Sequence, residues 1–95
     1  MQEVSQKAVS LFVENLPPAL HWQGLWFALG RHGIVVDAFI ARKLSMRGKR
    51  FGFIRFANRW DALRAIERLD GFRLYGYRIS VKMARFNIRT SYWKR

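Results

Sequence analysis

The chain has 95 residues, enough for one small domain and too few for a second. Its 51% hydrophobic content supplies a core and argues against disorder, while the lack of Cys rules out disulfides and thiolate metal sites. Eighteen Lys and Arg stand against six Asp and Glu, and the formal charge of +12 points to a polyanionic partner, either nucleic acid or an anionic membrane surface.

Residues 1–9 are polar and are expected to form a flexible leader. They lack the continuous apolar segment of a secretory signal, and no run in the chain approaches the length of a membrane span, so a soluble intracellular protein is expected. Ser10 to Glu14 is a short β-prone run, closed by Asn15-Leu16-Pro17-Pro18, where the prolines force a loop. Trp22, Leu25, Ala28, Leu29 and His32 recur at helical spacing and predict a helix over 21–31, with Gly33 as its left-handed terminator. Gly24 and Gly30 weaken that helix, so packing must hold it.

Ile34 to Arg42 reads as a second strand, Ser45 to Lys49 as a short basic connection, and Arg50 to Phe56 as a third strand. Asn58 is placed to cap a second helix with an apolar stripe of Ala62, Ala65, Ile66 and Leu69, ended by Gly71. After a Tyr75-Gly76 turn, Arg78 to Met83 alternates as a fourth strand. The order βαββαβ predicts an α+β sandwich: a four-stranded antiparallel sheet with both helices on one face. The domain is expected over 10–84, followed by a basic tail, 85–95, that carries Phe86, Tyr92 and Trp93.

The third strand is the most informative stretch. Period-two geometry puts Gly52, Ile54 and Phe56 on one face and Phe51, Phe53 and Arg55 on the other. The first set suits a core under the helices, which leaves two phenyl rings and a guanidinium on the open face. The first strand repeats the arrangement, with Leu11 and Val13 inward and Phe12 outward. Three rings flanked by cations form a stacking platform for single-stranded RNA, each base laying its π-face on a ring while cations hold the phosphates.

Leu11-Phe12-Val13-Glu14-Asn15-Leu16 matches the hexamer of the RNA-recognition-motif family, and residues 49–56 match its octamer. Ala65 to Gly71 and Gly76 to Val81 also resemble that family, so the resemblance covers about residues 10–84. It implies a ferredoxin-like fold, and it implies that Phe12, Phe51 and Phe53 stack on bases or riboses and that Lys49 contacts phosphate. Arg50 stands where the octamer usually has Gly. Phe39, between the core candidates Ala38 and Ile40, would extend the platform, while Arg42, Lys43, Arg47, Arg55 and Lys82 would supply the salt-sensitive share of affinity.

The domain is most similar to those of serine/arginine-rich-type splicing proteins and related plant single-domain proteins. That resemblance implies a nuclear role in pre-mRNA splicing, with other splicing proteins as further partners; plant retroelement-derived proteins with similar domains offer another reading. No acidic pair, Ser/His/Asp set or phosphate-cradling loop is visible, and the acids and both His are scattered, so neither catalysis, a metal nor a cofactor is expected. The cations do not line an amphipathic helix, which argues against a membrane surface. The rival is a protein-interaction module: Trp26 and Phe27 would leave an apolar patch on the first helix, and some members of the family that this chain resembles bind a Trp-containing peptide through their helices instead of RNA. Those members usually lose the sheet aromatics, carry acids in the first helix and show Arg-x-Phe just after the second. This chain keeps the aromatics, has no acid in its first helix, and follows Gly71 with Phe72-Arg73-Leu74.

Overall fold

Strand alternation sorts this chain into layers. The computed structural model describes residues 8–84; the expected tail, 85–95, and residues 1–7 of the expected leader lie outside them. The elements are β1 (Val9–Glu14), α1 (Trp22–Gly30), β2 (Val35–Leu44), β3 (Arg50–Phe56), α2 (Arg59–Leu69), a small hairpin of β4 (Arg73–Leu74) and β5 (Tyr77–Arg78), and β6 (Ser80–Met83). Four strands make an antiparallel sheet in the order β2-β3-β1-β6. Leu11, Val13, Ala38, Ile54, Phe56 and Val81 share one buried cluster with Leu25 and Leu29 of α1 and Ala62, Ala65 and Leu69 of α2. Both helices therefore lie on one face, as the alternation required, and the architecture is the ferredoxin-like α+β sandwich.

The helices are held in different ways. Asn58 caps α2 as expected, its side chain accepting the Asp61 N–H at 2.9 Å. The α1 N-terminus has no side-chain cap, and the burial of Leu25 and Leu29 anchors that helix instead. Its apolar stripe is narrower than the spacing suggested, because Trp22 is 46% exposed. Trp26 packs against the core as a partly buried ring, so the expected apolar patch reduces to Phe27, which is 71% exposed.

Three expectations are corrected. Gly33 is not the left-handed terminator of α1, since it is absent from the positive-φ glycines. Its role is close approach: a Cβ there would lie 2.5 Å from the Cβ of Asp61, whose carboxylate accepts the Ile34 N–H at 2.9 Å. The strand expected at Arg78 to Met83 is divided. Tyr75 and Gly76 both adopt positive φ, the mark of a tight two-residue hairpin turn, and this pairs Arg73 with Arg78 before the chain rejoins the sheet at Ser80. β2 runs from Val35 to Leu44, two residues past the expected end at Arg42, so Lys43 joins Arg42 at the strand end, and β1 already begins at Val9.

Candidate nucleic-acid interface

Register fixes what stands on the sheet face away from the helices. Phe53 pairs with Phe12 of β1 and with Phe39 of β2, and Phe12 in turn pairs with Lys82 of β6. One row across all four strands thus reads Phe39, Phe53, Phe12, Lys82. The next row sets Phe51 opposite Glu14, and the row on the other side sets Arg55 between Ser10 and Asp37. Ring centroids lie 5.5 Å apart for Phe12–Phe51, 5.7 Å for Phe12–Phe53 and 5.9 Å for Phe51–Phe53, the last pair edge-on at 90°. These are the separations at which aromatic pairs attract.

The expected parity therefore holds, but the expected openness does not. Phe51 is 5% exposed and Phe53 is 7% exposed. They form a second buried cluster with Ala41, and Phe12, Phe39 and Ala84 pack around it. The rings tilt onto one another across neighbouring strands, so each covers part of the next. Phe12 and Phe39 remain partly exposed.

The expected cations fall at three places around the rings. Arg42 and Lys43 at the end of β2, and Arg47 and Lys49 in the β2–β3 loop, are exposed at one end of the sheet. Partly buried Arg55 stands at the other end, and exposed Lys82 on the β6 edge. Arg55 and Asp37, paired in register on β3 and β2, are both engaged in interactions of their own.

Sequence reasoning missed two polar devices. The first involves Arg50, whose guanidinium Nη1 donates to the carbonyls of Pro17 and Leu20, each at 2.8 Å. Its own carbonyl accepts the N–H groups of Asn15 and Leu16 at 2.9 and 3.0 Å. The arginine in place of the octamer's glycine thus clamps the β1–α1 loop to β3. Its inward parity, shared with Gly52 and Ile54, was the available signal.

The second is at the other side of the same loop. Glu14, only 6% exposed, accepts a hydrogen bond from the Ser45 hydroxyl at 2.5 Å. Ser45 Oγ also accepts the N–H groups of Arg47 at 3.3 Å and Lys49 at 3.2 Å. An acid at outward parity among aromatics and cations was the clue to this contact. It pins the cationic loop to the end of the aromatic cluster.

Comparison with known proteins gives a consistent picture. The family model described as RNA recognition motif matches residues 11–80. A component of eukaryotic translation initiation factor 3 from Caenorhabditis briggsae is 39% identical over 74 residues, which is 77% of this chain and 28% of that protein. A probable arginine/serine-rich splicing factor 4 of Caenorhabditis elegans is 35% identical over 79 residues, 82% of this chain and 40% of that protein. The chain therefore spans well under half the length of these relatives. Among solved structures, RNA binding protein PG1 superposes with a TM-score of 0.73 at 28% identity, over 85% of this chain and 99% of that one. A Sex-lethal protein in complex with RNA gives 0.68 at 28% identity, over 80% and 47%.

Proposed function

The chain belongs to the RNA recognition motif family, and from that premise we propose that it binds single-stranded RNA across the sheet face turned away from the helices. The observation that supports this most is the row Phe39, Phe53, Phe12, Lys82, three rings and a cation held in register over four strands. Bases stack on the rings, and phosphates pair with Arg42, Lys43, Arg47 and Lys49 at one end and Arg55 at the other. Partly exposed Phe12 and Phe39 meet the RNA first. Phe51 and Phe53 take a base only as the outer cluster rearranges around it. Binding of this kind makes and breaks no covalent bond and calls on neither cofactor nor metal ion.

The relatives divide between translation initiation and splicing. The bound RNA decides between these roles: introns in a nuclear pre-mRNA, in the company of other splicing proteins, or mature message. A crosslinking map of bound RNA in cells separates the two. The binding face itself is tested by titrating short single-stranded RNA with two variants. Phe12→Ala is expected to weaken binding by about 1–3 kcal/mol, the worth of one base–aromatic stack. Phe27→Ala, on the helical side, is expected to leave affinity within a few-fold. The opposite pattern would move recognition to the helices.

A further inference from the structure

The β2–β3 loop closes around one hydroxyl. Ser45 Oγ–H donates to Glu14, its oxygen accepts two loop N–H groups, and its backbone N–H and carbonyl bond to the Lys49 carbonyl at 2.7 Å and the Gly48 N–H at 2.9 Å. Around this knot the chain is exposed, from Arg42 to Leu44 and from Met46 to Lys49. Arg42 and Lys43 stand three and two residues before the hydroxyl. That charge pattern fits a protein kinase whose substrate groove is acidic.

We propose that Ser45 is a phosphoacceptor and that its modification releases the loop and lowers RNA affinity. The proposal rests on the RNA-binding reading above and names a regulation of the same face. In the kinase, Ser45 Oγ attacks the terminal phosphorus of a nucleoside triphosphate, the hydroxyl proton passes to the kinase's base, and the nucleoside diphosphate leaves with the broken bond's electrons. The oxygen that had faced Glu14 at 2.5 Å now carries a phosphoryl group whose terminal oxygens share nearly two negative charges, and it has lost the proton it donated. A buried carboxylate and a phosphomonoester cannot share that contact, so the bond to Glu14 breaks and the loop opens. The new phosphate then draws Arg42, Lys43, Arg47 and Lys49 to itself, and the RNA loses them as phosphate partners.

The experiment treats the full chain with an arginine-directed serine kinase and ATP, locates phosphate by fragment mass, and titrates single-stranded RNA before and after. Phosphate is expected on Ser45, with RNA affinity reduced by about tenfold or more and restored by phosphatase. Hydrogen exchange at the Arg47 and Lys49 amides is expected to speed up on modification, since both donate to Ser45 Oγ. The Ser45→Ala variant is expected to show no change in RNA affinity on the same treatment. The proposal is overturned if Ser45 stays unmodified while a peptide of residues 40–50 is modified. It is equally overturned if full phosphorylation at Ser45 leaves both affinity and amide exchange unchanged. A chain that binds no RNA before treatment sinks the RNA-binding reading, and amide exchange then decides the Ser45 assignment by itself.

Discussion

Phe53 packs the outer cluster and, in the proposed reading, also stacks on a base, and substitution can pull these two apart. It is buried at the centre of the outer cluster, with ring contacts to Phe12 and Phe51 at 5.7 and 5.9 Å. Phe53→Ala removes a buried aromatic and both ring pairs, so a stability loss of about 3 kcal/mol is expected, the low end for such truncations because this cluster is small. Phe53→Leu keeps most of the volume and is expected to cost less than about 1.5 kcal/mol. RNA affinity should not follow that order. Leucine lacks a π-face, so both variants are expected to lose about 1–3 kcal/mol of binding per folded molecule. Urea unfolding measures the first quantity, and fluorescence anisotropy with a labelled single-stranded RNA the second, without urea and at a temperature where each variant is folded. If Phe53→Leu binds like the parent chain, the ring is structural filling and the stacking argument fails. If Phe53→Ala keeps full stability, the cluster is not packed as described.

Two further outcomes are expected. Binding should weaken with salt at a log–log slope of about −0.7 per phosphate neutralised on a single strand, and replacing Arg42, Lys43 and Arg47 together by Ala should flatten it; an unchanged slope would remove that end of the sheet from the RNA path. The His32 pKa is lowered from its ordinary value of 6.5, first by burial and then by Arg68, Arg31 and Arg64. The unfolded chain thus takes up the His32 proton at higher pH than the folded chain does. The stability from neutral His32 is complete above pH 6.5 and declines as pH falls from there through the lowered folded value. Urea midpoints across that window should drop more steeply in the parent than in His32→Gln, and parallel curves would discard the assignment.

Much of the fold was legible because alternation and capping are local. Leu11, Val13, Ile54 and Phe56 went inward as period two demands, and Asn58 capped α2 from a position visible in the chain. The membership of the outer face was legible for the same reason: Phe12, Phe39, Phe51 and Phe53 meet there. Its burial was not, because parity assigns a side of the sheet and is silent on how closely four rings pack on a twisted surface. Gly33 was misread for a related reason. Local sequence offers a glycine after a helix as a terminator, whereas the contact that excludes a Cβ comes from Asp61, far along the chain. Ser45 and Glu14 lie 31 positions apart, so the outward acid marked Glu14 as needing a partner but could not say that Ser45 would supply it.

The Arg50 clamp also bears on strand register. Sliding β3 by one residue against β1 would turn every β3 side chain to the opposite face. A strand with aromatic residues on both sides invites such a slip, since Phe51 and Phe53 could pass for core and Phe56 for surface. Arg50 makes the slipped state expensive. Its guanidinium would leave the carbonyls of Pro17 and Leu20, both in buried residues, and would point instead into the aromatic face. A glycine at that position is indifferent to which way the strand faces, and an arginine is not. The residue that departs from the octamer pattern thereby helps decide which phenyl rings end up on the face proposed to meet RNA.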